Sequence, residues 1–177
     1  MKILITGTTQ GIGKAIAEMF ISEGHEVTGI DLQESSIESE RYRHIVCDIR
    51  NIDDLPIRSI LNIGSASAHT GSEFPDYCAS KGGVVAYTKN VALRIARFGA
   101  TCNSLDPGGV LTPLNDCVIN DPDLWAQIME QTPLKKWATP FEIAQWVYFL
   151  TVVNTFCTGQ SIVVDGGESI NSKFVWK

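Results

Sequence analysis

The stretch KILITGTTQGIG, Lys2 to Gly13, constrains the fold more than any other part of this chain. Its Ile and Leu run reads as a buried strand, and three glycines follow at positions 7, 11 and 13. Ile12, Ile16, Met19 and Phe20 then recur at helical spacing, and Gly24 suits the helix stop. A strand, a glycine turn and a helix in that order make a phosphate site. Glycine lets the backbone approach a pyrophosphate, and the helix start offers free N–H groups and the positive end of its dipole. Thr6, Gly7, Gly11, Ile12 and Gly13 are therefore cofactor-binding candidates. A plain tight turn is the alternative if the pattern is taken alone.

The context favours the phosphate site. Asp31 ends the next strand-like run, EVTGID, 18 residues after Gly13. An acidic side chain there accepts hydrogen bonds from adenosine ribose hydroxyls and repels a 2′-phosphate. No Arg or Lys lies in Thr8 to Gln10 or directly after Asp31, so the expected cofactor is NAD, with NADP disfavoured. Asp48, at the end of YRHIVCDI, is placed to reach the adenine edge; a strand-end cap is its alternative.

The rest of the chain continues the alternation of strand and helix. SILNIGS, ATCNSL and SIVVDGG read as strands, the second running into a turn at Asp106-Pro107-Gly108-Gly109. A long helix is expected from about Asp76 to Phe98, with Val84, Val91, Ile95 and Phe98 as its apolar stripe and Gly99 as its stop. Asp121-Pro122 starts a short helix, and TPFE at Thr139 to Glu142 reads as a capping box. The helix it starts carries Ile143, Trp146, Val147 and Leu150. The expected fold class is α/β, a Rossmann-like doubly wound parallel sheet in a single domain over 1–177.

Composition narrows the partners. Apolar residues make up 44% of 177, enough for a real core, and the net charge is −6 with no basic run, which argues against nucleic acid and anionic membranes. No stretch is apolar enough to span a bilayer, and Met1 leads into a strand-like run instead of a signal peptide. The five cysteines are scattered and odd in number, which suits reduced thiols and a cytoplasmic setting. His25, His44 and His69 show no metal-ligand spacing, so no metal is expected.

Tyr77 and Lys81 stand four apart in DYCASKGG, on one helix face. A free phenol has a pKa near ~10, and a nearby ammonium favours the phenolate. Such a Tyr gives a proton to a carbonyl oxygen or takes one from an alcohol. Lys81 is also placed to hold a nicotinamide ribose. Twelve residues before Tyr77, Ser65 ends ILNIGS, where a parallel strand leaves it at the carboxyl edge of the sheet, the ligand edge of such folds. Ser67 is the competing hydroxyl.

Together these pieces resemble the short-chain dehydrogenase/reductase family, in its classical form. The matching motifs are T-G-x-x-x-G-I-G at Thr6 to Gly13, N-I-G-S at Asn62 to Ser65 and Y-x-A-S-K at Tyr77 to Lys81. Asn103, Pro107-Gly108 with Thr112, and TGQSIVVDGG at Thr158 to Gly167 also match. The resemblance implies hydride transfer between NAD(P) and a secondary alcohol or ketone. It assigns Tyr77 as acid/base, Lys81 as its tuner and ribose contact, and Ser65 as the group that polarises the substrate. It also implies that Pro107, Gly108, Val110 and Thr112 line the nicotinamide end. Leu114 to Trp137 falls at the family's mobile substrate loop, where Trp125, Met129 and Trp137 are placed to line an apolar pocket or to pack as core. A homo-oligomer, dimer or tetramer, is the implied assembly.

One departure is large. Between the strand ending near Asp48 and the one starting near Ser59 the family carries a helix, an N-N-A-G strand and a further long helix with a catalytic Asn. Here only IRNIDDLPIR connects them, so none of those residues has a counterpart. The link must cover a diagonal of about 22 Å, and ten extended residues reach about 33 Å. It spans the gap but leaves part of a sheet face without the helix a parallel sheet normally has. A sequence lacking a segment, joined near Pro56-Ile57, is the favoured reading; a shortened chain whose bare face a partner covers is the other. The departure also motivates an alternative function, a catalytically inactive NAD-binding sensor or regulatory relative. A purely structural oligomer module would leave the glycine loop and Asp31 unexplained.

Overall fold

The computed structural model describes residues 1–46, 58–71 and 74–171. β1 (Lys2–Thr6) leads through the glycine loop into α1 (Gly11–Ser22), then β2 (Glu26–Asp31) and β3 (Tyr42–Val46). After the link come β4 (Ser59–Ile63), the short α2 (Ser67–Thr70), α3 (Pro75–Ile95) and β5 (Thr101–Pro107). The chain closes with α4 (Asp116–Ile119), α5 (Pro122–Gln131), α6 (Pro140–Tyr148) and β6 (Ser161–Val164). Every described strand pair is parallel; α1 makes the crossover from β1 to β2 and α3 that from β4 to β5, whereas β2 and β3 are joined without a helix.

Local chemistry sets the helix limits. Gly24 follows α1 at φ 82°, a left-handed turn in which its N–H reaches the Ile21 carbonyl. Asp121 caps α5 by accepting from the Asp123 and Leu124 N–H groups. Thr139 and Glu142 form the expected capping box of α6, with Pro140 in its first turn.

The six strands form two three-stranded sheets, β1-β2-β3 and β4-β5-β6, in place of one continuous sheet. Among the described residues no strand bridges β1 and β4; residues 47–57, which join β3 to β4 along the chain and include Cys47 and Asp48, lie outside the described part. The halves nevertheless share one core. Ile16, Ala17 and Phe20 of α1 pack with Ile143, Ala144 and Val147 of α6, and this layer buries Ile5 and Val27 of one sheet and Leu105 of the other. The Rossmann-like α/β class holds.

The opposite face is covered unevenly. α3 packs on β4 and β5 and buries only Thr88 and Ala92. Leu4 in β1 is 42% exposed and Val46 in β3 is 51% exposed. The expected stripe on α3 is corrected accordingly. Val84, Val91 and Ile95 are half-buried and Phe98 is exposed: among the described elements this helix packs mainly on β4, β5 and the four-residue α2. The expected turn at Asp106-Pro107 is corrected too. Both residues are the buried last two positions of β5, paired with β6, and the turn begins at Gly108. Proline is tolerated there because it sits at the strand end. Among the described residues no helix is long and apolar enough to cross a membrane.

Candidate active site

The glycine loop sits at the carboxyl end of β1, and each glycine there answers a different need. Gly7 and Gly11 take φ of 73° and 58°, where a side chain is strained, and a Cβ at Gly7 would meet open space. Gly13 has an ordinary φ but packs so closely that a Cβ there would overlap the Gly7 carbonyl. The Gly7 N–H bonds the Ile30 carbonyl at 2.8 Å, tying the loop to β2. Thr6 is exposed at the loop entrance and Ile12 is half-buried at the start of α1. Open backbone over a helix start fits the diphosphate of a dinucleotide.

Asp31 stands beside this loop and also holds it. Its Oδ2 accepts from the Thr9 N–H at 3.1 Å and the Thr9 hydroxyl at 2.9 Å; its Oδ1 accepts from the Leu32 and Gln33 N–H groups at 2.7 and 3.2 Å. Burial works to raise its pKa, but the donors from Thr9, Gln33 and Leu32 outweigh it, and the carboxyl lies below its ordinary 3.8. The group is ionised at neutral pH, at the position expected to meet the ribose. Asp48, the companion on the adenine side, lies outside the described residues.

Ser65 is held by both neighbours. The Gly64 N–H donates to the Leu105 carbonyl at 2.8 Å and the Ala66 N–H to the Pro107 carbonyl at 2.9 Å, so Ser65 is strapped to the end of β5. Its hydroxyl accepts from the Ser67 N–H at 3.2 Å, which gives Ser67 a backbone role beside it. Tyr77 is 43% exposed in the first turn of α3. One turn on, the Lys81 ammonium lies 5.6 Å from the Tyr77 ring centroid and donates to the Ile63 carbonyl at 3.0 Å. Lys81 thus joins the tyrosine helix to the strand that presents Ser65.

The nicotinamide-end candidates line up along the same edge. Pro107 and Val110 are buried and Gly108 is half-buried, its N–H on the Val164 carbonyl at 3.1 Å. The Thr112 methyl stands 3.8 Å from where a Cβ on Gly11 would lie, which brings this segment over the glycine loop. Trp125 and Trp137 meet edge to face at 5.2 Å, and Trp137 presses on Gly109 where no Cβ would fit. Among the described residues no group of three or more His, Cys, Asp or Glu is gathered as a metal site.

The sequence reading missed a buried polar cluster beneath Ser65. Asp106 is fully buried and accepts from the Ser104 hydroxyl and, at 2.5 Å, from His69 Nε2. Its carboxylate lies against Gly64, where a Cβ would overlap it. The available signal was an Asp at the end of an otherwise strand-like run; read as a turn residue, it gave no reason to seek a partner.

The description short chain dehydrogenase matches residues 1–55, and Enoyl-(Acyl carrier protein) reductase matches residues 56–169. The two abut where the sequence suggests a join. Bos taurus L-fucose dehydrogenase is 37% identical over 117 residues, 63% of this chain and 43% of that protein. The matched stretch therefore spans under half of that relative. An uncharacterized oxidoreductase of Schizosaccharomyces pombe is 25% identical over 230 positions, covering 93% of this chain and 89% of that protein. That alignment is longer than the 177 residues here, so the relative carries residues without a counterpart. Among solved structures, a short chain dehydrogenase family protein from Francisella tularensis superimposes with a TM-score of 0.82 at 25% identity, covering 96% of this chain and 99% of that one.

Proposed function

This chain belongs to the short-chain dehydrogenase/reductase family, and from that premise we propose that it transfers a hydride between NAD and a secondary alcohol or ketone, with Tyr77 as general acid/base. The observation that carries this reading is the junction made by Lys81, between the Tyr77 ring and the β4 end that presents Ser65. A non-catalytic binding module has no chemical need for that junction.

In the oxidation direction Tyr77 takes the alcohol proton as its phenolate, a state the Lys81 ammonium favours by charge. The Ser65 hydroxyl donates to the reacting oxygen as negative charge builds there. Bound NAD supplies the hydride acceptor. The glycine loop and Asp31 hold its diphosphate and adenosine ribose, and Pro107, Gly108, Val110 and Thr112 border the nicotinamide. The ionised Asp31, with no cation at Thr8 to Gln10, supports NAD over NADP. The relative that acts on L-fucose supports including sugars among the alcohols tested. A homo-oligomer, a cytoplasmic setting and a single domain complete the proposal; exposed Tyr87, Leu93 and Phe98 around α3 support the assembly.

Two measurements test it. Calorimetric titration should give tight NADH binding and weak NADPH binding; equal binding would remove Asp31 as the selector. Tyr77→Phe should abolish NAD-linked oxidation across a panel of secondary alcohols and aldoses while NADH affinity stays within about twofold. Turnover surviving in that variant would mean Tyr77 is not the acid/base.

A further inference from the structure

The segment that carries Ser65 is short of apolar anchors. From Gly64 to Gly71 only Ala66 joins the buried apolar residues, and α2 buries none of its four. Polar links to β5 take their place. Two come from the backbone, the Gly64 N–H on the Leu105 carbonyl and the Ala66 N–H on the Pro107 carbonyl. The third joins side chains: His69 Nε2 lies 2.5 Å from Asp106 Oδ2 and ties the far end of α2 to the same strand end.

That tie reaches Ser65 through α2 itself. The Ala68 and His69 N–H groups donate to the Ser65 and Ala66 carbonyls at 3.0 and 2.9 Å, so a tilt of α2 moves Ser65 with it. The Ser67 N–H donates to Ser65 Oγ at 3.2 Å, so the same tilt turns the hydroxyl. Among the described residues nothing accepts the Ser65 proton, which leaves it for a ligand oxygen.

Asp106 is a fixed anchor. It is fully buried, the Ser104 hydroxyl donates to its Oδ1, and Gly64 leaves it room, since a Cβ there would overlap that oxygen. A buried carboxylate is costly without partners, and apolar groups of like volume in place of such a pair often stabilise a fold as well or better. What the pair adds is direction. Whichever of the two groups carries the shared proton, the link stands.

We propose that His69 and Asp106 are positioning residues: their link holds α2 at the angle that turns the Ser65 hydroxyl to the reacting oxygen. This rests on Ser65 being the group that polarises the substrate. Among the described residues neither member hydrogen-bonds the glycine loop or Asp31, so the pair governs the chemical step and leaves cofactor binding alone.

The test uses the full chain, NAD and the panel alcohol or aldose that the wild type oxidises fastest. Counting kcat per NADH-binding site keeps unfolded protein out of it. His69→Phe should lower kcat by about tenfold to a hundredfold, with NADH Kd unchanged within about twofold. His69→Gln, which carries an N–H to nearly the same point, should regain most of that loss. In a Ser65→Ala background His69→Phe should change kcat by less than about twofold, because residues that act through one hydroxyl do not add. Additive losses, a Gln variant as slow as the Phe variant, or His69→Phe at wild-type kcat would overturn the proposal. Hydrogen exchange at the Ala66 amide reads the tie without turnover. It should quicken by about tenfold in His69→Phe, the loss expected when one charge-assisted hydrogen bond is removed, and an unchanged rate refutes the tie. A wild type that oxidises nothing in the panel would sink the role of Ser65 instead, with the exchange rates still deciding whether His69 and Asp106 hold its segment.

Discussion

Replacing Gly13 with Ala should damage this protein, whereas the same change at Gly82 should improve it. At Gly13 the added methyl would lie inside the contact distance of the Gly7 carbonyl, with the Thr6 carbonyl 3.2 Å away. Restoring an ordinary contact requires α1 and the loop to separate by more than ~1 Å. Ile16, Ala17 and Phe20 pin α1 in the core, so it does not retreat freely. Overpacking of this kind costs about 1–3 kcal/mol, and for a chain of this length that lowers Tm by roughly 3–10 °C. Gly82 lies inside α3 with nothing within 4 Å of a would-be Cβ. There Ala restricts the unfolded chain and favours the helix by about 0.5–1 kcal/mol, raising Tm by roughly 1–3 °C. Scanning calorimetry of both variants reads the sign directly. NADH titration should add a loss of about tenfold or more for Gly13→Ala, because the loop backbone is what moves. A Gly13→Ala protein that melts at or above the wild type and binds NADH normally would refute the close-packing argument.

Three further predictions follow from single sites. Thr139→Ala removes the hydroxyl half of the α6 capping box and should lower stability by about 1 kcal/mol in urea unfolding. Glu142, hydrogen-bonded by Lys136 and then by Thr139, has its pKa lowered from 4.5 to about 2. Its folded value lies below its unfolded one, so its contribution is present above pH 4.5 and fades as pH falls toward 2; Glu142→Gln should flatten that part of an acid-stability curve. Asp106→Ala leaves the Ser104 and His69 donors facing an emptied buried site and should cost about 3 kcal/mol by chemical denaturation.

Much of the fold was legible because local rules and tertiary outcome agree. The glycine spacing, Gly24, the Asp121 cap and the Thr139–Glu142 box are short-range signals, and the structure keeps each. That Tyr77 and Lys81 share one face of a helix, and that Ser65 follows the end of β4, was legible from the chain; their catalytic roles belong to the proposal. What stayed hidden depends on contacts between distant residues. Asp106 meets His69 across 37 positions and Tyr42 meets Thr8 across 34, with no pattern linking either pair in the sequence. The stripe on α3 misled because periodicity tells which residues share a face, and only the surrounding layers decide whether that face is covered.

By itself the sequence determined the strand–glycine–helix start, the alternation of strand and helix, and the tyrosine–lysine pairing on one helix face, since each follows from backbone preference or short-range spacing. Only the tertiary structure decided that the strands stand as two sheets over one core, that Lys81 bridges Tyr77 to the Ser65 strand, and that Asp31 binds the loop it adjoins. Those outcomes depend on which buried polar groups find partners, and a buried donor or acceptor is satisfied by what folding brings next to it, wherever that lies along the chain.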